Sequence, residues 1–266
     1  NKFNKKFNSS LTNTLSRNAL IQNDVSKIAI NWDNFRKINH VYSNTITNQL
    51  PVTNQKASGR CWGFAGLNLL RLKIVEKYNL NNFEFSQNYF MFCDKLEKSN
   101  YFLENILKTF DEAYDSRLMM YLLSSPIQDG GQWDMFVNLI EKYGVLPQSV
   151  MPESYQSSQS AMMNRFITRK LREFAKELRT SIKNKLSKEE LFALKNKMLS
   201  TVYKMLVVHL GEPPKSFTWQ VRDKKKKFHR FKNLTPSSFF QEHVAIDLSD
   251  LVCLINCPMS DKEYNK

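Results

Sequence analysis

Gln55 and Cys61, with five residues between them in Pro51-Val-Thr-Asn-Gln-Lys-Ala-Ser-Gly-Arg-Cys61-Trp62-Gly63-Phe64-Ala65, have the types and spacing for acyl transfer. A cysteine attacks a carbonyl carbon only as a thiolate. Cys61 opens an apolar helical run, whose free N–H groups and dipole favour negative charge at that end. The spacing lets the Gln55 side-chain amide and the Cys61 backbone N–H point at one oxygen, which is how a tetrahedral oxyanion is stabilised. The plain alternative is a small buried thiol beside a solvated loop glutamine. The loop-to-helix junction, with Gly59-Arg60 before the cysteine and Trp62 after it, favours the chemical reading.

Several elements must hold that pair in place. The sequence predicts a helix over 58–78, capped by Ser58, with Phe64, Leu67, Leu70, Ile74 and Tyr78 at helical spacing. Leu69 and Leu72 make it apolar nearly all round, so it should be buried. Gly63 and Gly66 each cost about 1 kcal/mol against alanine in a helix and suggest the close approach of another backbone. Ser86 is expected to cap a helix over Gln87–Leu96, and Asp115 or Ser116 to begin one through Leu118, Tyr121 and Leu122. Asp129-Gly130-Gly131-Gln132-Trp133 reads as a tight turn needing positive φ, followed by a helix through Met135, Val137, Leu139 and Ile140. From 157 to 211 two long helices are expected. Met163, Ile167, Leu171, Phe174 and Leu178 form the stripe of the first, and a Ser187–Glu190 capping box opens the second, which Gly211 and Pro213-Pro214 stop.

Ser58-Gly59-Arg60-Cys61-Trp62 matches the Cys-Gly-Ser/Ala-Cys-Trp/Tyr signature of papain-like peptidases except at two positions. The wider segment, together with Glu84-Phe-Ser-Gln-Asn-Tyr, Asp129-Gly-Gly-Gln-Trp-Asp, Glu141-Lys-Tyr-Gly-Val-Leu-Pro, Pro152-Glu-Ser-Tyr and Gly211-Glu-Pro-Pro-Lys-Ser-Phe-Thr-Trp, resembles the bleomycin hydrolase and aminopeptidase C family in the family's own order. The resemblance runs from about residue 40 to the end of the sequence. It implies an α+β papain-like fold of which this sequence holds the mostly helical portion, with the β-rich second domain largely absent. The implied organisation is a wrapping segment of short helices and loops over 1–50, a helical left domain over 51–153 and an inserted helical arm over 154–245. The start of a β domain would occupy 246–266.

The resemblance further implies a cytoplasmic cysteine-type aminopeptidase acting on peptide substrates without a cofactor. Cys61 would be the nucleophile, Gln55 an oxyanion donor, and Trp62, Gly130 and Gly131 substrate-binding residues on a loop lying across the cleft. In secreted papain-like enzymes the first signature cysteine is disulfide-bonded, and Ser58 stands there in this sequence, which moves the resemblance to the cytosolic branch. In the family the inserted arm links subunits into a homohexamer, so the amphipathic stripes are candidates for oligomer contacts; packing of the arm on its own domain is the alternative. Trimming from the N-terminus arises in the family from a C-terminal arm reaching into the cleft, which this sequence does not contain.

Composition bounds the remaining possibilities. With 266 residues, 42% of them hydrophobic, the chain can build one large or two small domains. Only four cysteines occur, Cys61, Cys93, Cys253 and Cys257, without metal-ligand spacing or a histidine cluster, so no metal is expected and a reducing compartment fits. No run approaches the ~20 apolar residues of a membrane span, and the first ten residues lack a signal-peptide core. The net charge of +14 is unevenly placed: seven positive residues against one Asp between Arg222 and Lys232 supply +6 of it. Arg222, Lys224, Lys225, Lys226, Lys227 and Arg230 are therefore candidates for weak nucleic-acid or other polyanion binding, the alternative being a solvated lysine-rich loop.

A thiol peptidase also needs a histidine base and an Asn or Asp to orient it. His209 lies 148 residues after Cys61, inside the interval of about 130–150 for the papain group, but it ends a charged helix and no Asn-Ser-Trp follows. His40 lies upstream, His229 in the basic segment and His243 near the end of the arm. In the family the base comes from the second domain, which would begin around 246–256. Other readings stay open: a papain-like endopeptidase, or a catalytically incomplete fragment acting as a binding or scaffold protein.

Overall fold

The computed structural model describes residues 1–46, 49–252, 259 and 261. The chain divides into two compact units, Asn1–Gln49 and Leu50–Lys266. The first holds four short helices, α1 (Lys2–Asn8), α2 (Leu11–Leu20), α3 (Val25–Ile28) and α4 (Trp32–Phe35). Asn1, Ser10, Asp24 and Asn31 cap them, each side chain accepting a hydrogen bond from a backbone N–H two or three residues on. None of the four buries a residue, so local hydrogen bonds rather than a core define them.

The second unit is built around α5 (Cys61–Tyr78), on which Leu67, Leu70 and Ile74 are almost completely buried. Burial of each such side chain contributes about 1.5–3 kcal/mol. Next come α6 (Gln87–Lys108), α7 (Arg117–Ser124), α8 (Trp133–Tyr143) and the single turn α9 (Tyr155–Ser158). Two long helices follow, α10 (Ala161–Lys183) and α11 (Lys188–Leu210). A two-stranded antiparallel hairpin, β1 (Phe217–Arg222) and β2 (Phe228–Leu234), is next, with Trp219 opposite Phe231. α12 (Pro236–Phe239) and a π-helical turn at Phe240–Val244 close the run. α5, α6 and α8 pack on one another, and α10 and α11 lie together on α6.

The local signals in the sequence set many of these boundaries. Ser86 and Ser116 cap α6 and α7, the Ser187–Glu190 box opens α11, and the left-handed Gly211 ends it. α6 continues twelve residues past the expected Leu96, because Phe102, Leu103 and Ile106 extend its buried face. The stripe Met163, Ile167, Leu171, Phe174 and Leu178 is buried inside this unit, where α10 packs on α6 and α11, so it is not available to a neighbouring subunit.

Other expectations are corrected. Ser58 does not cap α5: the helix begins at Cys61, with Arg60 at the cap position and no capping side chain, because the Ser58 hydroxyl is bonded to the loop instead. Gly63 and Gly66 meet aromatic rings and not a second backbone; a Cβ on them would lie 2.3 Å from Phe90 and 2.5 Å from Phe136. Neither Gly130 nor Gly131 has positive φ. The basic segment is the turn and second strand of the hairpin and not an open loop, because Trp219, Phe231 and Phe239 gather on its inner side and Lys224 N–H donates to the Asn79 carbonyl at the end of α5. Of the expected β-domain start, residues 246–252 hold a 3-10 turn at Leu248–Asp250 and no strand, while 253–258, 260 and 262–266 lie outside the described residues.

Two expected outcomes follow from this packing. Phe136 is 1% exposed and has nowhere to go, so Gly66→Ala should destabilise the second unit by about 1–3 kcal/mol through overpacking. That outweighs the roughly 1 kcal/mol an alanine gains in an open helix, and a lowered thermal midpoint would check it.

His243 is buried among Tyr78, Trp219, Phe231 and Phe239, with Nδ1 2.5 Å from the Tyr78 hydroxyl. Burial pushes its pKa below the ordinary value, Glu242 opposes this, and Lys77 adds to it. The neutral ring is the folded form. Its stabilisation is therefore complete above the unfolded value near 6.5 and is lost as pH falls from there through the folded value. Thermal midpoints measured between pH 7 and 5 should fall more steeply for the parent than for His243→Phe.

Candidate active site

Cys61 is the first residue of α5 and is exposed, while the loop before it is drawn down onto the protein. The Ser58 hydroxyl donates to the Gln55 carbonyl at 2.5 Å and accepts from Arg60 Nε at 2.8 Å. The Arg60 guanidinium then makes a bidentate pair with Glu153, at 2.9 and 2.7 Å, and lies over the Phe64 ring. Arg60 is 4% exposed while the Glu153 side chain keeps 26% of its surface, so the pair is partly buried. Glu153 also accepts from the Ser157 hydroxyl of α9 at 2.7 Å. The Ala57 N–H donates to Ser158 O and the Ser160 N–H to Ala57 O, a short parallel bridge that fixes the outer side of the loop. Gln55 is half-buried, with its Oε1 buried and without a partner among the described residues.

The loop 129–131 reaches the same place from the far side. Gly59 has φ +60°, and a Cβ there would sit 2.5 Å from the Asp129 side chain, so the turn before Cys61 and the 129–131 loop interlock where only glycine fits. Trp62 Nε1 donates to the Asp129 carbonyl at 2.9 Å, and a Cβ on Gly131 would lie 2.4 Å from the indole. Space around Gly130 is open. Trp62, Gly130 and Gly131 thus lie together beside Cys61.

The support beneath this loop was not foreseen from the sequence. Lys95 Nζ donates to Asp129 Oδ1 at 2.7 Å and to the Ile127 carbonyl at 3.0 Å. Asn164 Nδ2 reaches the same carboxylate oxygen at 3.0 Å. Lys98 Nζ donates to Asp94 at 2.9 Å and to the Gly130 carbonyl at 2.8 Å, and stands 5.2 Å from the Trp62 ring centre. Burial pushes the Asp94 carboxyl up and the Lys98 ammonium down, each partly offset by the other. The available signal was four charges, Asp94, Lys95, Glu97 and Lys98, following the apolar Phe90–Cys93 on one helix. Lys98 and Asp94 also line an apolar cavity of about 620 Å³ between α6, α7 and α8, which includes neither Cys61 nor Gln55 among its lining residues.

The remaining candidates lie elsewhere. Arg222, Lys224, Lys225, Lys226, Lys227 and Arg230 are exposed on the hairpin, anchored at the far end of α5, about 25 Å along the helix from Cys61. His209 Nδ1 bonds Met205 O, His229 faces Asp223 at 3.3 Å, His243 meets Tyr78, and His40 is exposed in the first unit. Among the described residues no group of three His, Cys, Asp or Glu side chains is arranged to hold a metal ion, and no helix is long and apolar enough to cross a membrane.

Comparison with known proteins bears on this arrangement. The Peptidase C1-like family matches residues 1–266. Aminopeptidase C of Listeria innocua is 43% identical over 264 residues, covering 99% of this chain and 59% of that protein. Human bleomycin hydrolase is 38% identical over 267 residues, covering 98% of this chain and 59% of that protein. The crystal structure of PepW from Lactobacillus rhamnosis HN001 superposes with a TM-score of 0.90 at 42% identity, covering 99% of this chain and 59% of that one. The chain therefore spans 59% of the length of these relatives.

Proposed function

From the premise that this chain belongs to the Peptidase C1-like family, we propose that it carries the nucleophile and oxyanion-stabilising groups of a cysteine-type aminopeptidase. The observation that carries the reading is the exposed Cys61 at the first residue of α5, with the Gln55–Arg60 loop tied to Glu153 on one side and the Trp62–Gly131 contact on the other. The names of the aminopeptidase C and bleomycin hydrolase relatives support the reaction class. The α-helical left domain, residues 51–153, and the arm, 154–245, are the parts of a papain-like fold we assign here.

The Cys61 thiolate attacks the carbonyl carbon of an amide. The electron pair moves onto the oxygen, which the Gln55 amide and the Cys61 backbone N–H stabilise. Collapse expels the amine, which takes up a proton, and leaves a thioester on Cys61; water, deprotonated by a base, then releases the acid. His209, His229 and His243 are engaged with Met205, Asp223 and Tyr78, so we assign that base to another histidine. The open side of Gly130 suits an extended substrate backbone hydrogen-bonding to the loop.

The test compares aminoacyl amides having a free amino group with their N-acetylated forms. Hydrolysis of the free amines alone, abolished by thiol alkylation, is expected. Equal cleavage of both would favour an endopeptidase, and hydrolysis that survives alkylation would remove the thiol mechanism.

The exposure of the tetralysine turn favours a second reading, polyanion binding at the hairpin. Affinity for single-stranded DNA should then fall linearly with log salt, with a slope reduced in a Lys224–Lys227 quadruple neutralisation.

A further inference from the structure

A continuous hydrogen-bonded path runs from the Ser157 hydroxyl to the backbone carbonyl of Gln55, the residue whose side chain is assigned to the oxyanion. We propose that Ser58, Arg60 and Glu153 are positioning residues that hold the Gln55 backbone, and through it the Gln55 amide, in place beside Cys61; the inference rests on the reading of Gln55 as an oxyanion donor. The path runs from the Gln55 carbonyl to the Ser58 hydroxyl, from that hydroxyl to Arg60 Nε, and from both terminal guanidinium nitrogens to the two oxygens of Glu153. It is directional throughout: the Ser58 hydroxyl donates to the Gln55 backbone carbonyl and accepts from Arg60 Nε, so a turn of that hydroxyl disturbs both bonds.

Glu153 is itself anchored. Its Oε2 accepts from Ser157, whose residue forms a reciprocal capping box with Ser154, and the Ser154 hydroxyl donates to the His209 carbonyl near the end of α11. The loop is thereby referenced to α9 and α11, ninety or more residues away in sequence, and not only to its own helix. A bidentate guanidinium–carboxylate pair fixes orientation as well as distance, whereas a lone ammonium would fix distance alone. Arg60 is next to Cys61, so the same pair fixes the first turn of α5, where the backbone N–H donor lies. Lys56 and Gly59, both with positive φ, bend the strand of backbone that this path clamps.

The consequence is a selective sensitivity. Stabilising an oxyanion depends on donors placed to within a fraction of an ångström, whereas alkylation of a thiol by iodoacetamide passes through no oxyanion. The test measures both on the 266-residue chain: the dissociation constant of a peptide aldehyde, which forms a thiohemiacetal, and the second-order rate of Cys61 alkylation by iodoacetamide. Ser58→Ala and Glu153→Gln are expected to weaken aldehyde binding between about tenfold and 100-fold with the alkylation rate unchanged, the range a misplacement of roughly 1 Å produces. Ser58→Thr, which keeps a hydroxyl, should recover most of the loss. If Glu153→Gln does not fold, Ser58→Ala decides.

Parent-like aldehyde affinity in folded Ser58→Ala, with Gln55→Ala weakened, would overturn the positioning role and leave the oxyanion reading intact. Slowing of both reactions together in a folded variant would also overturn it, since that signals lost access to the thiol. A parent without aldehyde affinity, or a Gln55→Ala variant that binds as the parent does, would overturn the oxyanion reading and this inference with it.

Discussion

Cys61→Ala is expected to reduce kcat for aminoacyl-amide hydrolysis by about 10⁶-fold, the size of loss that follows removal of the nucleophile from a catalytic unit. The side chain is exposed at the start of α5 and no buried cluster depends on it, so the thermal midpoint should move by no more than about 0.5 kcal/mol equivalent. Steady-state rates and a melting curve on the same preparation check both halves. Loss of rate together with loss of fold would instead place Cys61 in the architecture. Cys93 provides the internal contrast: it is 4% exposed, and burial pushes its thiol far above the usual range, so Cys93→Ala should affect stability and leave rate alone.

Gln55→Ala is expected to lower kcat by about 10²–10³-fold with little change in KM, because the interaction it removes strengthens only as charge develops on the oxygen. Gln55→Glu should be at least as damaging, since an ionised carboxylate offers an acceptor and no donor where negative charge builds up. The pair of variants separates donor chemistry from shape: a near-active Gln55→Glu would show that bulk in the loop is what matters. A parallel rise in KM with kcat unchanged would mean that Gln55 binds substrate and not the transition state.

What the sequence makes legible here follows the range of each signal. Ser86, Ser116 and the Ser187–Glu190 box act on N–H groups three residues away, and each stands where its local signal places it. The α10 stripe is equally local, repeating every three or four residues, though only packing shows that it faces α6 and α11 and not another subunit. Gln55 and Cys61 are readable for the same reason, six positions apart in one loop. Ser58 misled because a serine before a helix has two local uses, as a cap or as a bridge within the loop, and Arg60 decides between them.

Arg60 and Glu153 are 93 residues apart, and Lys95 and Asp129 are 34 apart; no spacing rule connects such partners. The hairpin hid behind its own charge. Lys224 to Lys227 read as a solvated run, while the aromatic pairing of Trp219 with Phe231 that folds the strands together appears only when both strands are aligned. Gly131 shows the same limit from the other direction: its sequence context suggested a turn, whereas the need for glycine is the indole of Trp62 lying where a Cβ would go.

Trapping of the acyl-enzyme decides whether Cys61 is the nucleophile. The chain is mixed with an aminoacyl p-nitrophenyl ester, quenched in acid within the first turnover, and mapped by mass spectrometry after proteolysis. One acyl group is expected, on Cys61, absent from Cys61→Ala and formed more slowly in Gln55→Ala. Acylation spread over lysines or other thiols, or an adduct on Cys61 whose rate does not respond to Gln55→Ala, would contradict it.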